Sequence, residues 1–140
     1  MSTLTERLQS ALAAFGTDNA RALDEMDALY APGVRFEDPI QRVEGAAAFR
    51  AMNERLVARA AYARFERVEI LGDEERVMAT WVLIYKPKLG PEIRVPGASD
   101  IRAEGGRVVY HRDYWDILGA VMTGFPLVEP LYKKLVALAG

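Results

Sequence analysis

The chain has 140 residues, 51% of them hydrophobic and 27% charged, a composition that fits one folded domain over 1–140 and excludes disorder as the default state. Eighteen Lys and Arg stand against 20 Asp and Glu, a net charge of −2, so the basic excess that nucleic-acid phosphates demand is missing. Cysteine is absent, which removes disulfides, thiolate metal sites and cysteine nucleophiles together.

The first ten residues carry Glu6 and Arg7 without an apolar stretch, and the most apolar run, Met78 to Tyr85, is far shorter than the roughly 20 residues of a bilayer span. No membrane contact is expected, and a cytoplasmic location is the default expectation. Leu4, Leu8, Ala11, Leu12 and Phe15 follow the spacing of one helical face, and Thr3 with Glu6 forms a capping-box signature. Gly16 ends that helix. Asp18 or Asn19 can cap a second one, carried by Ala20, Leu23, Met26, Leu29 and Tyr30, which stops before Pro32 and Gly33. Val34, Phe36, Asp38 and Ile40 then alternate with Arg35, Glu37 and Gln41, the period of a half-buried strand, with Pro39 marking an edge or bulge. From Gly45 to Ala60, Phe49, Met52, Leu56 and Val57 form the stripe of a third helix.

The remainder reads as strands. They run from Tyr62 to Leu71, Val77 to Tyr85, Glu92 to Glu104 and Arg107 to Asp116, with turns at Gly72–Asp73, Pro87–Pro91 and Gly105–Gly106. Pro96 and Gly97 suggest a bulge in the third of these. Val82 and Ile84 need cover. After Gly119 a loop containing Gly124 and Pro126 is expected, followed by a closing helix with Leu127, Leu131, Leu135 and Leu138 at helical spacing and Pro130 in its first turn. This order describes an α+β domain whose bent, mostly antiparallel sheet wraps against helices as a cone with an apolar mouth. Pockets of that kind carry a few inward polar groups, and those are the candidates for function.

Asp38 shares strand parity with apolar Val34, Phe36 and Ile40, and an inward carboxylate among such neighbours becomes a usable base. The competing reading has Asp38 bonding backbone in the turn made with Pro39. On the last strand His111, Asp113 and Trp115 share one parity while Tyr110, Arg112, Tyr114 and Asp116 share the other. His111 is the chain's one histidine and a ready proton shuttle, or else a satisfied core imidazole. One His without Cys supports no metal site, and no phosphate loop, nucleophile elbow or zinc-protease pattern occurs. Neither metal nor cofactor is expected.

The segment Leu29-Tyr30-Ala31-Pro32-Gly33-Val34-Arg35-Phe36-Glu37-Asp38-Pro39 resembles the helix-to-strand passage of ketosteroid isomerases. Gly106 to Asp116 is similar to the Trp-Arg-Asp-Tyr-Phe-Asp strand of limonene epoxide hydrolases. Together with the element order they make the chain resemble the nuclear transport factor 2-like superfamily, which also holds the SnoaL-like polyketide cyclases. The resemblance implies Asp38 as a proton-transferring base, with His111 and Asp113 on the cavity side as its catalytic partners. Phe36, Trp81, Trp115, Tyr30 and Asp100 would then line the substrate site. It also implies a small apolar substrate and a homodimer.

The departures carry information as well. The isomerase oxyanion donors fall on Ala14 or Phe15 and near Ala98, with Asp100 available as a substitute if the Pro96–Gly97 bulge shifts the register. The hydrolase Arg and Asp partners fall on Trp81 and Leu83. The expected activity is therefore isomerase- or cyclase-like proton transfer next to a carbonyl. A ligand-binding or dimerisation module is the alternative, and an epoxide hydrolase using Asp113 as acid is the weaker one.

Overall fold

The computed structural model describes residues 2–125 and 128–140, with the backbone alone at Thr123. Thr3 closes the expected capping box, accepting from the Glu6 N–H while Glu6 Oε2 accepts from the Thr3 N–H, and α1 spans Leu4–Ala14. Asp18 caps α2 (Asn19–Leu29) by accepting from the Arg21 N–H. Strand β1 (Tyr30–Glu37) follows without a loop, so Tyr30 is both the C-cap of α2 and the first strand residue.

This strand starts earlier than the alternation around Val34 predicts, and it stops before Asp38. Asp38 and Pro39 turn the chain into a short β2 (Arg42–Glu44) that the sequence pattern did not foretell, and Ile40 is 63% exposed instead of inward. In α3 (Ala46–Arg59), Arg50 pairs with Asp24 and Asp27 of α2 and with Glu54 of its own helix, tying the two helices together.

Strands β3 (Ala60–Gly72), β4 (Arg76–Pro87), β5 (Ile93–Glu104) and β6 (Arg107–Trp115) complete a six-stranded sheet in the order β2-β1-β6-β5-β4-β3. All pairings are antiparallel except β1 with β6. Gly105 and Gly106 adopt φ of 58° and 80°, the left-handed pair that a tight hairpin between β5 and β6 requires. The sheet bends at register shifts between Glu66 and Glu69, where Arg67 takes φ 52°, and between Arg102 and Ala103.

The bulge expected at Pro96 and Gly97 does not form: β4 and β5 stay in register from Arg76 opposite Arg102 to Tyr85 opposite Ile93. Pro96 is tolerated because β6 pairing ends with Gly97 opposite Trp115, which leaves β5 an edge beyond that point. Gly97 has a separate reason, since a Cβ there would stand 2.3 Å from the Trp81 ring. Ile84 is fully buried, flanked in the register by Arg64 and Arg94 whose long stems can cover it.

Helices and inner sheet face share two apolar clusters. The larger joins Leu4, Leu8, Ala11, Leu29, Tyr30, Val34, Phe36, Phe49, Val77, Ile101 and Val108; the smaller joins Ala79, Trp81, Val95 and Ala120. Ala120 belongs to α4 (Ile117–Thr123), a short helix where the sequence reading expected loop. Its Gly124 C-cap packs near Ile93 and Pro91. The expected Pro126 and Leu127 lie outside the described residues.

Helix α5 (Glu129–Ala139) has Pro130 in its first turn as expected but buries no side chain. Leu131 and Leu135 are each 58% exposed, so their spacing marks a helix and not a core element. The result is the expected α+β cone: a curled, unclosed sheet with helices filling its hollow side.

Candidate functional site

From Tyr110 onward strand alternation divides β6 into two faces, and burial decides their direction: His111 is buried and Asp113 and Trp115 half-buried, whereas Arg112 and Tyr114 are exposed. Val108 is buried too because the register shift opposite Arg102–Ala103 switches the face before Tyr110. His111 stands among aromatic rings, with Phe36 edge-on at 5.1 Å between centroids, Tyr30 at 5.8 Å and Phe49 at 6.1 Å. Tyr30 is itself stacked on Phe49 at 4.8 Å.

Both imidazole nitrogens are engaged. Nδ1 lies 2.6 Å from the Tyr30 hydroxyl and Nε2 lies 2.6 Å from Asp113 Oδ1. The same Oδ1 accepts from Ser99 Oγ at 2.6 Å, and Ser99 Oγ accepts from Trp81 Nε1 at 2.9 Å. A chain of five polar side chains thus crosses from the larger apolar cluster, which owns Tyr30, to the smaller one, which owns Trp81. Burial first, and then the Asp113 charge, push the Tyr30 phenol far above its ordinary ionisation range, so it remains a neutral hydroxyl. The Asp113 side chain, in the middle of this chain of bonds, is 20% exposed, so the carboxylate is the point where the network reaches solvent.

A hollow of about 30 Å³ adjoins this network, bounded by Tyr30, Ser99 and His111 on one side and by Leu8, Ala11, Met26 and Ile70 on the other. It has room for roughly one water molecule. A much larger concavity, about 1120 Å³, lies on the opposite side of the sheet as an open groove along Arg35, Arg102, Tyr110 and Arg112. Its size does not make it the better site, because Asp100 in it and Glu37 beside it are already matched to arginines. Asp100 there binds Arg76 through two contacts of 3.2 Å, and Glu37 binds Arg112 at 3.0 Å and Arg42 at 3.2 Å.

The structure therefore sorts the expected residues. His111, Asp113, Tyr30 and Trp81 are brought together, Phe36 packs on His111, and Trp115 packs half-buried against the Trp81 cluster. Asp38 stands apart from that network. Its Oδ1 accepts from the Ile40 and Gln41 N–H groups at 2.8 and 3.0 Å, and its Oδ2 from Gln41 Nε2 at 3.2 Å. That is the turn-forming alternative for an Asp before Pro. Asp100, expected on the substrate side, faces the outer groove, because the unbroken register leaves the inward position to Ser99.

Ser99 is the residue the sequence reading missed. Its inward parity follows from its neighbours Gly97 and Ile101, but only the register, Ser99 opposite Asp113, shows what it meets. Among the described residues no cluster of three or more His, Cys, Asp or Glu could hold a metal ion, and no helix is long and apolar enough to cross a membrane.

Comparison with solved structures returns the same architecture. A protein with a ketosteroid isomerase-like fold from Catenulispora acidiphila, solved with trimethylamine, superposes with a TM-score of 0.73 at 17% identity, over 88% of this chain and 94% of that one. A candidate polyketide cyclase from Pseudomonas putida gives 0.72 at 20% identity over 89% and 99% of the two chains. An LEH-like epoxide hydrolase from M. tuberculosis gives 0.65 at 19% identity over 90% and 98%. No curated protein matches in sequence. The family model of the SnoaL-like domain matches residues 9–111, and with that span, which includes Tyr30, Ser99 and His111, the chain belongs to the SnoaL-like domain family.

Proposed function

We propose that the protein is a cofactor-independent enzyme of isomerase or cyclase type that moves a proton beside the carbonyl of a small apolar ligand, with Asp113 as the acting carboxylate. The observation that carries this reading is the company Asp113 keeps. Among the described residues its bonds come from an imidazole and a hydroxyl and from no arginine or lysine, and apolar clusters lie on both sides. Both of these bonds fall on Oδ1, so Oδ2 is the oxygen available to take a proton from a ligand, as a base must.

In the reaction, a lone pair on Asp113 takes a proton from the carbon next to the carbonyl. The electrons of the broken C–H bond form the enolate, and the proton is then given back at another carbon. Phe36, Trp81 and Trp115 supply apolar surroundings for the ligand. The hollow beside Tyr30, Ser99 and His111 holds about one water and is not lined by Asp113, so a larger ligand reaches Asp113 from its solvent-exposed side. Asp38, to which the resemblance with ketosteroid isomerases points, is left to the turn. SnoaL-like membership supports the reading, as do solved neighbours named for isomerase and polyketide cyclase activity.

The test follows solvent deuterium entering the positions beside the carbonyl of 3-cyclohexenone, and conversion to the conjugated isomer, by proton NMR. Asp113→Asn is expected to slow exchange by about 10²- to 10⁴-fold, while Asp38→Asn retains it. Equal rates for wild type and Asp113→Asn overturn the assignment. The apolar cluster around Trp81 and Trp115 leaves a second reading, a ligand-binding or dimerising module without chemistry. In that case hydrophobic ketones quench tryptophan fluorescence with no exchange at any concentration.

A further inference from the structure

The bond directions around His111 can be worked out atom by atom. Trp81 Nε1–H can only donate, so Ser99 Oγ accepts it and points its own proton at Asp113 Oδ1. A carboxylate oxygen only accepts, so the 2.6 Å contact from His111 Nε2 places a proton on that nitrogen. Nδ1 then presents its lone pair, and the Tyr30 hydroxyl, 2% exposed and 2.6 Å away, donates to it. The opposite tautomer would aim an Nε2 lone pair at the carboxylate and leave the Tyr30 proton with no acceptor among the described side chains. Every donor therefore points toward Asp113 from both ends of the chain.

We infer that Tyr30 and Ser99 are positioning residues. Tyr30 locks His111 as the Nε2–H tautomer, Ser99 fixes Asp113 Oδ1, and Oδ2 is thereby the one atom of the network that exchanges a proton with a ligand. Tyr30 thus acts through His111 and not on the ligand, and His111 is an orienting group with no free nitrogen. The last clause rests on the function proposed above; the tautomer lock does not.

Because His111 is the only histidine, protein labelled with ¹⁵N-histidine shows one pair of ring nitrogens. The expected spectrum has Nε2 in the protonated range and Nδ1 in the unprotonated, hydrogen-bonded range. In Tyr30→Phe, Nδ1 shifts further toward the free unprotonated value. In Asp113→Asn the two nitrogens move toward each other as tautomers mix. A wild-type spectrum with the proton on Nδ1, or with averaged nitrogens, overturns the lock.

For Ser99, exchange into 3-cyclohexenone is expected to lose about 10- to 100-fold in kcat in Ser99→Ala, as when other site residues lose a supporting hydrogen bond. KM should stay unchanged and Ser99→Thr should restore the rate. A change in KM alone, or no rescue by Thr, removes the positioning role. A locked tautomer in a wild-type protein that never exchanges the ketone leaves the lock standing and overturns the function instead.

Discussion

Two neighbouring strands each present a carboxylate, Glu37 on β1 to the outer face of the sheet and Asp113 on β6 to the inner one, and both carboxylates accept from side-chain donors. Glu37 receives the Tyr110 hydroxyl at 2.8 Å together with Arg112 and Arg42, whereas among the described residues Asp113 receives Ser99 and His111 alone. The outer acid is neutralised by cations in contact with solvent, where screening keeps each pair weak. Among the described residues the inner acid has no arginine or lysine partner, and apolar clusters lie on both sides of it. The difference teaches that the donors around a carboxylate, and not its residue type, decide whether it is tied into an ion-pair network or left without a cation.

The comparison can be broken from the inside outward. The largest stability effect is expected for Phe49→Ala, because Phe49 stacks on Tyr30 and touches Phe36 and His111, and truncating a buried Phe costs about 3–5 kcal/mol. Denaturant unfolding measures it, and a loss no larger than that of a surface substitution would mean the aromatic box does not hold the site. Tyr30→Phe comes next, at about 1–3 kcal/mol for leaving a buried Nδ1 without its donor.

Tyr30 also gives a pH signature with a definite sign. Above its ordinary value of 10.0 the unfolded chain releases the phenol proton while the folded chain retains it, so stability falls as pH rises. Tyr30→Phe should lose less than wild type over that alkaline range when thermal midpoints are compared. Equal slopes would mean that Tyr30 ionises freely in the folded protein.

The smallest effect belongs to the outer face. The Tyr110 hydroxyl, followed by the charges of Arg112, Arg42 and Arg35, holds Glu37 below its ordinary value of 4.5 against the opposing effect of burial. Between the folded and unfolded values the unfolded chain binds more protons. The Glu37 contribution is therefore present above about pH 4.5 and fades as pH falls through the folded value. Wild type and Glu37→Gln should differ slightly in thermal midpoint near neutrality and converge in acid. A large gap near neutrality would show that the outer network is not merely screened surface.

Local chemistry was legible in the sequence wherever neighbours along the chain decide it. The Thr3–Glu6 cap, the Gly105–Gly106 turn and the strand limits from β3 to β6 all follow from residues a few positions apart. The parity of His111, Asp113 and Trp115 was legible, and their inward direction came from the resemblance. Asp38 was misread because alternation cannot tell the last strand residue from the first turn residue, and the Asp-Pro pair favoured the turn. Ser99 stayed hidden because its partner is fixed by the β5–β6 register. Asp100 was placed inside on the strength of a bulge that the edge position of Pro96 makes unnecessary. Helix α5 shows the same limit from the other side: the spacing of Leu131, Leu135 and Leu138 announces a helix but not what the helix covers.

The lone parallel pairing, β1 with β6, sets when the site can exist. Tyr30 and His111 are 81 positions apart, so the bond between them closes a loop containing most of the sheet. Hairpins from β3 to β6 can assemble as each strand leaves the ribosome, but β1 must wait for β6 to be synthesised before it gains that neighbour. Until then the phenol and the first cluster of helices have no imidazole to meet. The candidate site is therefore among the last parts of the protein to form, and a nascent chain halted before residue 107 would carry α1 to α3 without His111 or Asp113.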